Sequence, residues 1–335
     1  MIALSCCRTL RKIYYIYYSD KTTIETSALI LTKHQVEIIR AVLYFDVFKY
    51  PLTRHELFEN AAITISQAEF NEALDELLRN NFIKEDGEFI LSPGRTQSDI
   101  LKRTAGNKGA VEIMPTAYAY SRRIASFPFV EGVMLSGSLS KNYYDKTSDI
   151  DFFIVTRPGR LWICRTLLII RYKLLPEHKK KYWCTNYFIS SENLAIPDMN
   201  VFTGTELAYL IPTVNYQVYK KIVEENTWYK KRFPNKKEAA PGNCMDLPQT
   251  FLKSLAEKLL DNRLGSWLDN MLLEYTLKRW RKKYPDMNNE DFNLQFRSRK
   301  DVCKRHTHGF QNKILVLWEK KTVEFEQKFN ASLDN

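Results

Sequence analysis

The stretch 130–155 constrains the fold more than any other part of this 335-residue chain. Two apolar segments, 130–135 and 150–155, read as strands, and between them lie Gly137-Ser138 and a polar interval of ten residues, LSKNYYDKTS. The second segment is entered through Asp149-Ile150-Asp151. On a strand, residues i and i+2 share a face, so Asp149 and Asp151 converge while Ile150 turns to the core. Two carboxylates so close repel each other unless a cation lies between them. Mg²⁺ takes carboxylate and phosphate oxygens together, so such a pair suits a metal-bound triphosphate. Gly137 lets the backbone approach a ligand without a Cβ in the way, and Ser138 offers N–H and hydroxyl donors. A helix beginning there, over 139–144, would turn its N-terminus toward phosphate oxygens.

The surrounding pattern extends this unit. A helical stretch at 112–126 precedes it, a Leu- and Ile-rich helix at 160–173 follows, and 182–189 reads as another strand. A short helical turn at 205–210 comes before Pro212. The order helix, strand, Gly-Ser turn, strand, helix, strand predicts an α/β unit over 105–215.

These residues carry a resemblance. Ser136-Gly137-Ser138, the interval LSKNYYDKTS and Asp149-Ile150-Asp151-Phe152-Phe153 resemble the signature of the nucleotidyltransferase superfamily, the polymerase-beta-like fold. The resemblance covers about 105–215, a third of the chain. It implies transfer of a nucleoside monophosphate from a nucleoside triphosphate to an acceptor, with release of pyrophosphate. In that reading Asp149 and Asp151 hold two Mg²⁺ ions, which clamp the attacking and leaving oxygens. Gly137 and Ser138 bind the β,γ-phosphates, with Lys141 as helper.

One position departs from the family pattern. Active members commonly add a third carboxylate from a later strand, yet 182–189 (YWCTNYFI) contains no acid. Asn186 is its most polar side chain and can offer a carbonyl oxygen, but it cannot accept a proton. By the period of two, Cys184, Asn186 and Phe188 share a face, and Asn186 is the candidate for the third position. Glu192 lies just past the strand, either reaching in or standing as an exposed loop glutamate.

Upstream, 33–48 carries Val36, Ile39, Leu43 and Val47 at helical spacing and stops at Tyr50-Pro51. Thr53 and Ser66 cap two further helices, the second with Phe70, Ala73, Leu74 and Leu77 on one face. Phe82-Ile83 and Phe89-Ile90-Leu91 then flank the turn dipeptide Asp86-Gly87. Three helices and a hairpin resemble a winged-helix domain over 33–95. The outer face of its third helix carries Glu69, Glu72, Asp75 and Glu76 against Arg79, which repels a phosphate backbone, so no specific DNA binding is expected.

Residues 93–110 mix turn and polar types and read as the domain junction. The last third, 216–335, lacks strand alternation and reads as an all-helical domain, with helical patterns at 252–280 and 310–329. The fold class expected is therefore α+β: winged helix, nucleotidyltransferase-like mixed sheet, helical C-terminal domain. The net charge is +11, and 216–335 holds 24 Lys/Arg against 16 Asp/Glu, so most of the excess is there. Six scattered cysteines, in no framework spacing, suit reduced thiols in a cytoplasm. No run reaches the roughly 18–20 apolar residues of a membrane span. Residues 1–32 read as a basic, aromatic-rich extension, and Cys303-x-x-His306-x-His308 as a zinc-like spacing without a second ligand cluster. The acceptor, whether small molecule, protein or RNA, leaves no mark. The alternative function is a catalytically weak nucleotide-binding or regulatory protein of the same fold.

Overall fold

The computed structural model describes residues 30–289, 292, 296–304 and 309–333. The extension at 1–29, with Cys6 and Cys7, and the pair His306 and His308 lie outside the described residues. The first unit contains α1 (Lys33–Asp46), β1 (Leu52–Thr53), α2 (Arg54–Asn60), α3 (Gln67–Arg79), β2 (Lys84–Asp86) and β3 (Phe89–Leu91). Its helix starts are set locally. Thr32, Thr53 and Ser66 each form a reciprocal capping box with the third helical residue, Gln35, Glu56 and Glu69. The strands form a small antiparallel sheet in the order β1-β3-β2. Phe70, Ala73, Leu74 and Leu77 are the buried residues of α3, the face that the periodicity predicts. Arg54 ties that helix to the hairpin through Asp75, at 2.9 Å, and Glu85, at 2.6 Å.

The expected junction at 93–110 is instead mostly helix. α4 (Gln97–Ala125) runs 29 residues and contains Pro115. Gly106 and Gly109 suggest a break, but here they serve close approach. A Cβ at Gly106 would enter the Tyr143 ring, and one at Gly109 would strike the Tyr144 carbonyl. The interval after Gly137 thus packs directly on the helix backbone, with Tyr144 N–H donating to the Gly106 carbonyl at 3.0 Å.

Beyond α4 come β4 (Val130–Ser136), α5 (Gly137–Ser140), β5 (Asp151–Thr156), α6 (Leu161–Lys173), α7 (Glu177–Lys180) and β6 (Cys184–Ser190). Then follow α8 (Val201–Ala208), β7 (Ile211–Val214), α9 (Tyr216–Glu225), α10 (Trp228–Arg232), α11 (Phe251–Leu260), α12 (Arg263–Lys283), β8 (Val302–Lys304) and α13 (Phe310–Phe329). The main sheet has the order β7-β4-β5-β6-β8, with β5 and β6 parallel and the other neighbours antiparallel. Pro212 lies in the edge strand β7, where a missing N–H is tolerated.

The sheet is covered on both faces. Phe152, Ile154 and Phe188 pack with α4, α6 and the inner side of α12, whereas Met134, Phe153, Val155 and Ile189 pack with α9. The last third does not form a separate helical domain. Its helices α11 and α12 join the sheet core, and β8 pairs with β6 as a fifth strand. α13 inserts Ile314 and Phe325 into the core of the first unit. A three-residue strand is too short to show alternation, and its pairing partner is over a hundred residues away. Among the described residues, no helix is long and apolar enough to cross a membrane, and Cys164, Cys184, Cys244 and Cys303 are unpaired.

Candidate active site

The site lies where β4 ends and β5 and β6 begin. Ser136 is directly opposite Asp151 in the antiparallel β4–β5 register. The chain turns at Gly137, whose φ of +66° favours glycine, and a Cβ there would land on the Asp151 carboxylate. The glycine therefore brings backbone against acid, and α5 supplies one helical turn immediately after it. The interval from 141 to 148 is fixed by Asp145. Tyr143 O–H, Thr147 N–H and Oγ1, and Ser148 Oγ all donate to its carboxylate, which is held well below the usual carboxylate range by these bonds.

Asp149 is exposed and precedes the first residue of β5, whereas Asp151 is half-buried at its start. Burial pushes the Asp151 carboxyl up to about 6, and the charges of Glu206 and Asp149 push the same way. A hydrogen bond from Cys184 and the Lys141 charge oppose that rise. Partial desolvation raises Asp149 as well, against the pull of Lys181. Asn186 Nδ2 donates to Asp151 Oδ1 at 2.7 Å, so the candidate third position touches the pair through an amide.

The route to that contact differs from the expected alternation. The β5–β6 register slips between Phe152 and Phe153, which face Thr185 and Tyr187, so Asn186 is the extra residue of a bulge. Cys184 and Asn186 both reach Asp151. Beyond the bulge, Tyr187 stacks on Phe153 at 4.7 Å, and Phe188 joins the opposite core with Phe152. Glu192 does not reach in. Cys184 pairs with Asp151 at one end of β6, and Ser190 pairs with Thr156 at the other. Glu192 sits past that far end, where its carboxylate accepts from Ser190 Oγ at 3.2 Å.

A different acid occupies the site. Glu206, on α8, accepts the Gly137 N–H at 3.2 Å through Oε2 and the Lys141 ammonium at 2.8 Å through Oε1. Lys141 is held at the turn, since its Nζ also donates to the Gly137 carbonyl at 3.0 Å. Glu206 is the single charged residue in 201–210 (VFTGTELAYL), and that isolation is the signal by which the sequence marks it.

Two cavities meet at this point and share Gly137, Asp151, Glu206 and Phe310. The larger, about 490 Å³, is also lined by Asp149, Asn186, Tyr187 and Lys304. The smaller, about 400 Å³, runs toward the first unit and is lined by Ser138, Lys141, Tyr143, Tyr50, Lys49 and Lys102. All six candidate residues line one cavity or the other, with Asp149 and Asn186 on one side and Ser138 and Lys141 on the other. Among the described residues, no group of three or more His, Cys, Asp or Glu is placed to hold a metal ion alone.

No curated protein and no solved structure matches the chain. Residues 121–237, which contain the Gly-Ser turn, both aspartates, Asn186 and Glu206, match the family model of the nucleotidyltransferase domain, and this match supports the nucleotidyltransferase superfamily for that part of the chain.

Proposed function

We propose that the chain binds a nucleoside triphosphate with Mg²⁺ and transfers its nucleoside monophosphate to an acceptor, releasing pyrophosphate. The observation that carries this reading is the contact of the Gly137 turn with Asp151, where phosphate-facing backbone and acid meet between two cavities. Mg²⁺ is commonly held by one or two carboxylates plus substrate phosphates. Asp149 and Asp151 suit one such ion, and the burial that raises Asp151, with the added charges of Glu206 and Asp149, is a cost that a bound cation would offset. For a second ion, the donors at hand are the Asn186 side-chain carbonyl and Glu206. When bound, the metal would supply charge neutralisation at the phosphoryl oxygens.

In this proposal the smaller cavity takes the nucleotide. The Gly137 and Ser138 amides and the Lys141 ammonium face the β,γ-phosphates, with Lys49 and Lys102 further out. Tyr50 and Tyr143, in edge contact with ring centroids 6.2 Å apart, offer aromatic surface to a base. Glu206 accepts from the Gly137 N–H and from Lys141, and the triphosphate competes for those donors. The larger cavity, on the Asn186 side, receives the acceptor. We read 33–95 as a winged-helix-like docking module rather than a DNA reader, because α3 exposes Glu69, Glu72 and Asp75, and we place the protein in the cytoplasm.

A second reading rests on Asn186. An amide donating to Asp151 stands where active relatives of the resembled family carry a proton acceptor, which favours nucleotide binding with weak turnover. One experiment separates the two. The protein is incubated with each labelled nucleoside triphosphate and Mg²⁺, and pyrophosphate and label transfer are followed. Pyrophosphate release that disappears in Asp149→Asn/Asp151→Asn supports transfer, and Mg²⁺-dependent binding without release supports the weak member. Absence of metal-dependent binding contradicts both.

A further inference from the structure

Helix α11 inverts the usual amphipathic arrangement, and α12 beside it keeps an apolar inner side with Trp280 in the sheet core. Lys253 is the buried residue of α11, only 2% exposed, and its Nζ donates to the Ala125 and Val130 carbonyls at 3.0 and 2.9 Å. One turn on, Glu257 accepts the Phe129 N–H at 2.8 Å and pairs with Arg157 at 3.1 Å. On α12, Asp269 accepts the Trp162 and Ile163 N–H groups, both at 2.8 Å, at the start of α6. Polar ties thus fasten the pair to the sheet core. The outward side carries Phe251, Leu252, Leu259, Leu264, Trp267 and Tyr275, each between 61% and 79% exposed. Large apolar side chains exposed in this number on two consecutive helices mark an interaction site.

We infer that this outer face docks on an anionic lipid bilayer. At 100° per residue, the α12 stripe of Leu264, Trp267 and Tyr275 continues into exposed Lys278 and Lys282. Exposed Lys258 and Arg263 flank the turn between the helices, and Glu274 is the one exposed acid of α12. Leu and Phe enter the acyl boundary, Trp and Tyr prefer the headgroup level, and lysines reach lipid phosphates. A second copy of the chain on the same face would bring these cations against their own kind, so charge favours the bilayer.

The test is co-sedimentation of the full chain with vesicles of phosphatidylcholine alone and of an equimolar mixture with phosphatidylglycerol. The wild type is expected to sediment with the mixed vesicles. Leu259→Ser/Trp267→Ser is expected to weaken this by at least about tenfold, with unchanged thermal unfolding. Lys278→Glu/Lys282→Glu is expected to remove the preference for the mixed vesicles. Wild type that ignores both vesicle types overturns the inference, whether it is a monomer or a dimer dissolved by Trp267→Ser. Equal binding by Leu259→Ser/Trp267→Ser also overturns it, because bulk charge would then account for the association.

Discussion

Helices α3 and α11 are both amphipathic, and they use that property in opposite directions. α3 turns Phe70, Ala73, Leu74 and Leu77 inward and leaves Glu69, Glu72 and Asp75 exposed. α11 turns Lys253 inward and leaves Phe251, Leu252 and Leu259 outside. Periodicity therefore defines faces, and the partners available to each face decide which one is buried. For α3 the partner is the apolar core of a small unit. For α11 it is the junction from the end of α4 to the start of β4, where the Ala125 and Val130 carbonyl oxygens need donors and a lysine can supply them.

The largest effect that tests this contrast is a leucine deletion on each helix. Leu74→Ala should cost about 2–5 kcal/mol, because the side chain is fully buried and leaves a cavity. Leu252→Ala, at a side chain 76% exposed, should stay within about 0.5 kcal/mol. Urea unfolding of both variants checks the pair, and similar costs would mean that α11 buries the face described here as outer. A smaller effect belongs to the inward lysine. Lys253→Met keeps the bulk but leaves two carbonyls without their donor, at about 1–3 kcal/mol. Lys258→Met, on the exposed side of the same helix, should be nearly neutral in the same assay.

The same reasoning explains what the sequence discloses. In the first unit, capping residues, an Asp-Gly turn and ordinary burial all agree, so its elements are readable one by one. The start of α4 is not, because Gly106 and Gly109 look like breakers until the Tyr143–Tyr144 contact is known. At the site, Gly137, Asp149 and Asp151 are legible because local spacing brings them together. The Asn186 contact is legible in outcome only, since a bulge rather than strict alternation delivers it. Glu206 and Lys304 arrive from α8 and β8; the isolation of Glu206 in an apolar segment marks the residue but not the place it reaches.

Asp151 extends the contrast to the site, as a polar group kept where burial penalises its charge. Its carboxyl, at about 6 in the folded protein, lies above the ordinary 3.8. The neutral form is thus favoured by folding, and this contribution is complete below about pH 4 and lost as pH rises through 6. In EDTA, Asp151→Asn should therefore raise stability by about 1–2 kcal/mol at pH 8 and leave it little changed at pH 4. Thermal unfolding at the two pH values checks this, and a stabilisation independent of pH would remove the electrostatic account of the site.

The most direct test of the proposed site is calorimetric titration of a nucleoside triphosphate, with and without Mg²⁺, into wild type and Asp149→Asn/Asp151→Asn. Binding to the wild type should depend on the metal, and the double variant should lose that dependence and bind at least roughly tenfold more weakly. Identical metal-dependent binding in the two proteins would contradict the assignment of Asp149 and Asp151 as the metal-holding pair.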